Sequence, residues 1–379
     1  MKSLSFTSQL LAACALVALV AVSISLVTSG PPVARAADDA AAKGKVMVES
    51  ICIECHSPRL AGDPYKLDPA KLYTGGEPFE GPWGAVYAKN ITSDTETGIG
   101  TWTFAEIKAA INKGIGKNGE KLLVMPWELF QGLADDDLNN IVTYLKTVPA
   151  IKSTPPVAKL APPEAVAGFI RSIPPLAAVV PEALFSKPRD VFHDFVFAGG
   201  PTASKPAPAG FVAPQGTNSA ARGGYLVRNL LGCAACHGVN LAGGVPPFNA
   251  ANITPDKETG IGAWSDADIA KALREGIDVP TGRKLSPVMP STTAYVNLPN
   301  DEMGNVIAYL RSIPPVRRAA GEPNPAYPPP GPPPAAPPAA PTALPNTGDQ
   351  MAPWLMLTTL GGLLTLAFGL FLRRRSLHD

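Results

Sequence analysis

Cys52-Ile53-Glu54-Cys55-His56 and Cys233-Ala234-Ala235-Cys236-His237 decide how this chain is read. Each is a Cys-x-x-Cys-His unit, and together they use four of the five cysteines; Cys14 lies in the apolar leader. Downstream of each unit the chain repeats itself. Asn90-Ile91-Thr92-Ser93-Asp94-Thr95-Glu96-Thr97-Gly98-Ile99-Gly100-Thr101-Trp102 returns as Asn252-Ile253-Thr254-Pro255-Asp256-Lys257-Glu258-Thr259-Gly260-Ile261-Gly262-Ala263-Trp264. The 162-residue offset holds through Ile115 and Ile277, and 15 of those 26 positions are identical. The Cys-His units are 181 residues apart, so the first copy carries an insertion between Ser57 and about Tyr87. A period this long means duplicated domains rather than a solenoid of short repeats.

Each copy has one layout. Helix-compatible stretches precede the cysteines, at residues 38–50 and 220–231. Thr103 with Glu106, and Ser265 with Asp268, stand at N-cap and N3 spacing and predict capped helices. Gly114 and Gly276 stand where those helices stop. Met125-Pro126 and Met289-Pro290 follow in a loop, and a last amphipathic helix is expected over residues 135–147 and 300–312. Ile141, Tyr144 and Leu145 share one apolar face, as do Val306, Tyr309 and Leu310. No stretch alternates convincingly as a strand, so the expected fold class is all-α.

Cys-x-x-Cys-His is the attachment signature of c-type haem. Two thioethers hold one edge of the porphyrin and the adjacent imidazole turns onto the iron. A zinc site needs further cysteine or histidine ligands. The other histidines are His193, in a proline-rich segment, and His378, at the tail, and no other cysteine follows the leader. Methionine is the usual sixth ligand opposite histidine and raises the reduction potential. Met125 and Met289 match between copies; a lone methionine would be core filler, as Met47 and Met303, unmatched and on predicted helices, are read. The matched Trp102 and Trp264 suit a haem edge or plain core packing equally. The Asn-Ile-Thr-x-Asp stretch suggests only a fixed loop.

With these residues the chain resembles the class I cytochrome c family. The Asn-Ile-Thr-Pro-Asp-x-x-Thr-Gly-Ile-Gly-x-Trp pattern makes it similar to the multihaem cytochrome c subunits of membrane-bound alcohol- and gluconate-type dehydrogenases, over residues 40–150 and 216–318. The resemblance implies two covalently bound haem c groups, held by Cys52, Cys55, Cys233 and Cys236, with His56, Met125, His237 and Met289 as axial ligands. Those subunits usually have three haem domains, and this chain has two. The implied fold is two tandem all-α cytochrome c domains, at residues 37–150 and 216–318, to which the chain's own composition adds proline-rich linkers and a C-terminal transmembrane helix.

The ends say how such a protein is held. Residues 1–36 read as a signal peptide: Lys2, an apolar run over residues 10–27, and Ala34-Arg35-Ala36 as the cleavage site. An uncleaved anchor is the plain alternative, and too few apolar residues precede Cys14 for a lipoprotein signal. Residues 151–215 are a proline- and alanine-rich linker with an apolar island at 191–197. Residues 319–343 hold 11 prolines, a spacer of roughly 80 Å as polyproline II. Residues 344–379 carry Leu344-Pro345-Asn346-Thr347-Gly348, an uncharged apolar run over 351–372, and Arg373-Arg374-Arg375. As a helix the run reaches about 33 Å, enough to cross a bilayer, with the arginines on the cytoplasmic side. The three-part arrangement resembles a sortase signal cut after Thr347, or else a permanent membrane anchor.

The 32 basic and 31 acidic residues give a net charge of +1, which argues against nucleic acid as a partner. An exported, envelope-tethered electron carrier with redox-protein partners is expected, extracytoplasmic and either anchored by the C-terminal helix or attached to the wall. The alternative is a haem enzyme, such as a dihaem peroxidase or a sulfur-compound dehydrogenase. The first needs an openable iron site and the second often a cysteine ligand, which this chain does not spare. A structural wall protein with incidental haem is the third class.

Overall fold

Gly44 and Gly223 mark the crossing on which each half is built, in a computed structural model that describes residues 32–81, 84–172, 205–244, 250–322 and 324. In the first half, α1 (Pro32–Met47) runs through a π-helical turn (Val48–Cys52) into α2 (Ile53–His56). Then come α3 (Phe104–Lys113), the short α4 (Trp127–Phe130) and α5 (Asp135–Leu145). After α6 (Pro163–Ser172), the second half repeats the plan with α7 (Ala220–Asn229), α8 (Cys233–His237), α9 (Asp266–Glu275) and α10 (Asn300–Ser312).

The first and last helices of each half cross where glycine lets backbones touch. A Cβ on Gly44 would lie 1.9 Å from the Asn140 carbonyl oxygen, and one on Gly223 would lie 1.8 Å from that of Asn305. Val48, Leu138, Ile141 and Val142 fill one crossing, and Leu226, Val227, Val306 and Leu310 the other, all buried. Each such side chain contributes about 1.5–3 kcal/mol. Gly223→Ala is therefore expected to cost about 1–3 kcal/mol through forced separation of α7 and α10. A thermal midpoint equal to that of the parent protein would mean that the helices part freely.

Both capping boxes form. Thr103 Oγ1 accepts from Glu106 N at 3.2 Å while Glu106 accepts from Thr103 N at 2.7 Å; Ser265 and Asp268 do the same at 3.2 and 2.9 Å. Gly114 and Gly276 end α3 and α9 in the left-handed region, at φ 64° and 65°.

The all-α expectation needs correcting: the fold is mostly helical with some sheet. Strands β1 (Arg59–Leu60) and β2 (Asp63–Leu67) pair, β4 (Gly84–Tyr87) lies between β3 (Pro78–Gly81) and β5 (Lys159–Leu160), and β6 (Ile277–Asp278) pairs with β7 (Arg283–Lys284). Strands of two to five residues are too short to show an alternating pattern. The insertion accounts for most of them. Gly75 N bonds the His56 carbonyl as Gly243 N bonds that of His237, and Ile91 N bonds Tyr73 O as Ile253 N bonds Leu241 O, which aligns Tyr73 with Leu241. Seventeen residues separate His56 from Tyr73 but four separate His237 from Leu241, so thirteen extra residues make the β1–β2 hairpin. Gly76 N reaches Ala88 O across twelve residues where Gly244 N reaches Ala250 O across six, so six more extend β3–β4.

The two halves pack together. Asp137 on α5 accepts from the Tyr225 hydroxyl of α7 at 2.7 Å and lies 3.6 Å from Arg222, which grips Glu302 at 2.6 Å. The Tyr225 hydroxyl also accepts from Ala134 N at 3.0 Å. Within 151–215, α6 buries Val166 and Ala167, and Ala207 N donates to Gln131 O at 2.9 Å. Among the described residues no helix is long and apolar enough to cross a membrane. The leader to residue 31, the island at 191–197 with His193, and the tail with Leu344–Gly348, Met351–Leu372 and His378 lie outside the described residues.

Candidate functional site

Each Cys-His unit lies on one short helical segment, so both thiols and the imidazole leave neighbouring turns of one element. Gly232, at φ 65°, turns the chain into α8, a conformation that a side chain would strain. Burial pushes the thiols of Cys52, Cys55 and Cys233 up to about 12 and that of Cys236 to about 11. A redox dithiol wants the opposite, a lowered thiol pKa. Among the described residues no group of three or more His, Cys, Asp or Glu is placed to hold a metal ion.

The histidines are oriented identically. His56 Nδ1 lies 2.7 Å from Lys89 O, and His237 Nδ1 lies 2.7 Å from Ala251 O. A carbonyl can only accept, so Nδ1 carries the proton and Nε2 keeps its lone pair. Burial lowers both imidazoles from the ordinary 6.5, against the opposing pull of the carbonyl. Neutral, tautomer-fixed imidazoles beside buried thiols are the donor set that a covalently held porphyrin iron takes, so the residues fit haem c.

Lys89 and Ala251 immediately precede the Asn-Ile-Thr motif, which explains what that motif does. Asn90 donates to Thr97 Oγ1 and Ile151 O, both at 2.9 Å, and accepts from Thr92 N at 2.9 Å and Thr92 Oγ1 at 2.7 Å. Asn252 repeats this with Thr259, Val316 and Thr254 at 2.7–3.0 Å. Asp94 and Asp256 gather the next turn through Thr97 and Thr259. Those bonds hold both carboxyls below their usual range. The glycines of Thr-Gly-Ile-Gly close against backbone: a Cβ on Gly98 would lie 2.4 Å from Thr92 O, and one on Gly260 2.2 Å from Thr254 O. From the last helix of each half, Lys146 bonds Trp102 O at 2.8 Å, and Arg311 bonds Ile261 O at 3.1 Å and also Trp264 O. The motif is thus a latch that fixes the carbonyl orienting each histidine, a role that its residue types alone did not reveal; its repetition in both copies was the available signal.

The two methionine loops also match. Trp127 N donates to Met125 O and Ser291 N to Met289 O, each at 2.8 Å, closing over the following proline. Pro126, at φ −80° and ψ 57°, sits in an inverse γ-turn. Met125, Met289, Trp102 and Trp264 are partly buried against the core, while Met47 and Met303 are buried within it.

A family model described as cytochrome c matches residues 41–149 and 220–314, one span in each half. The gluconate 2-dehydrogenase cytochrome c subunit of Pantoea cypripedii is 28% identical over 311 residues, 76% of this chain and 60% of that one. The cytochrome c subunit of the alcohol dehydrogenase (quinone) of Komagataeibacter europaeus is 29% identical over 298 residues, covering 71% and 55%. A diheme cytochrome c-type protein of Cereibacter sphaeroides is 25% identical over 286 residues, covering 70% and 82%. The chain spans little more than half the length of the two dehydrogenase subunits.

Proposed function

The chain belongs to the cytochrome c family, and we propose that it is an exported dihaem electron carrier, either a subunit of a dehydrogenase complex or a tethered shuttle between redox proteins. The observation that carries this reading is the pair of identical 2.7 Å histidine–carbonyl bonds, one beside each buried cysteine pair. Covalently bound haem supplies one-electron iron chemistry. The residues of the chain do the rest. Cys52 with Cys55, and Cys233 with Cys236, fix the group by its edge. His56 and His237 would supply Nε2 to hold the iron, and Met125 and Met289 their thioether sulfurs. Two methionines in matched loops, one for each histidine, would leave a substrate no place on the metal, which favours a carrier over a haem enzyme.

The relatives named as cytochrome c subunits of alcohol and gluconate dehydrogenases support a dehydrogenase as electron donor. The leader and tail support an extracytoplasmic protein, anchored by residues 351–372 or joined to the envelope after Thr347. An optical redox titration of the purified chain tests the core of this reading. Two haems per chain are expected, each showing the weak long-wavelength ferric band of methionine ligation, with Met125→Ala and Met289→Ala each removing half of it. One haem without that band in the parent protein overturns that haem's methionine assignment and reopens the enzyme reading.

A further inference from the structure

The β1–β2 hairpin is built from thirteen residues that the second half lacks, and it does not fold back on its own half alone. Tyr65, on β2, donates its hydroxyl to Leu285 O at 3.3 Å, and its backbone carbonyl accepts from Thr292 Oγ1 at 2.9 Å. The Lys284 ammonium lies 5.3 Å from the centre of the Tyr65 ring. Arg59, on β1, pairs with Glu54, the third residue of the first Cys-His unit, and the other Glu54 oxygen accepts from Thr293 Oγ1. Asn297 completes the row by donating to Glu49 O at 3.0 Å.

These contacts bracket one feature. Leu285 stands four residues before Met289, and Thr292 and Thr293 stand three and four after it. We infer that the inserted hairpin is a strap by which the first half positions the Met289 loop of the second, so that ligation by Met289 depends on Tyr65, Arg59 and Glu54. The inference rests on Met289 being an axial ligand. The physical reason is local. Ser286–Val288 is held by few bonds of its own, with Met289 N donating to Ser286 O at 2.9 Å, and Val288 is 63% exposed. A loop of this kind opens readily unless something outside it ties both ends. Leu285 N to Gly276 O at 2.7 Å and Ser291 Oγ to Ala272 O at 3.1 Å do this from within the second half, and the carboxylate bond to Thr293 and the two Tyr65 bonds add to it from the first, on either side of the methionine. In the second half only four residues separate His237 from Leu241, too short a turn to return the favour to the Met125 loop.

The test uses the full-length holoprotein carrying Met125→Ala, in which the remaining long-wavelength ferric band belongs to Met289, and follows that band during titration with imidazole. Adding Tyr65→Phe with Thr293→Val is expected to lower the imidazole midpoint about tenfold, the loss of one charged and one neutral hydrogen bond. Thr293→Ser, which keeps the hydroxyl, is expected to restore most of it. In a Met289→Ala background the same pair is expected to leave the Met125 midpoint unchanged. Equal midpoints with and without the pair in the Met125→Ala background overturn the strap while leaving the ligand assignment intact. If Met289→Ala leaves the band of the otherwise unaltered protein whole, the ligand assignment falls and the strap with it. Should the pair impair folding, Tyr65→Phe alone, which removes a single hydroxyl, is expected to shift the midpoint about threefold, and no shift is again a refutation.

Discussion

Asn252→Ala is expected to be the most damaging single substitution outside the Cys-His units, costing on the order of 4 kcal/mol and raising the potential of the second haem by roughly 40 mV. The stability figure follows from what the amide does. Asn252 is 4% exposed, and its side chain joins Thr259, Val316 O, Thr254 N and Thr254 Oγ1. Alanine strands several buried polar groups, each costing about 1–3 kcal/mol. The potential follows from the neighbouring carbonyl. Ala251 O accepts from His237 Nδ1 at 2.7 Å, which makes the imidazole more electron-rich and favours the ferric state. A loosened latch gives back about 1 kcal/mol of that preference, or roughly 40 mV for one electron. Asn90→Ala is expected to do the same to the first haem alone. Thermal unfolding and a redox titration on each variant read the two effects. Lost stability with unmoved potentials would make the motif a fold staple with no hold on the histidine.

Much of this was legible in the sequence because the chain was written twice. The Cys-His units, the capping pairs Thr103/Glu106 and Ser265/Asp268, the terminating glycines and the methionine–proline loops all rest on short-range chemistry that recurs in both copies. What escaped is long-range or very short. The bond from Lys89 to His56 spans 33 residues and uses a backbone carbonyl, which has no sequence identity to recognise. Gly44 and Gly223 stand in helix-compatible stretches, with nothing in their local sequence to mark the partner helix that crosses them. The hairpins hid because strands of two to five residues give too few positions for a period to be recognised, and the β4–β5 pairing joins residues about 75 apart in the chain. The insertion was visible as a mismatch of offsets, but its destination on the other half was not.

Cys52→Ala with Cys55→Ala, and separately Cys233→Ala with Cys236→Ala, are each expected to reduce covalent haem from two to one per chain, read as the pyridine haemochrome per mole of protein and as the mass of the intact chain. Thioethers would be the only covalent attachment, and under the dihaem reading each half would carry a complete set of donors. Stability is not expected to divide so cleanly. Arg222, Tyr225 and Glu302 of the second half meet Asp137 of the first in a buried network, and breaking such a network from one side costs about 3–5 kcal/mol because the remaining charge is left without a partner. A second half loosened by loss of its haem withdraws Tyr225 and Arg222 from Asp137. The remaining haem of the Cys233/Cys236 variant is therefore expected to lose its methionine band at a lower temperature than in the parent protein, and Asp137→Asn to reproduce part of that fall with both haems in place. If the pair variant holds one haem and melts there as the parent does, the halves are independent beads and the network contributes nothing across the interface. If it holds none, attachment itself is cooperative, and the second half is a template for loading the first.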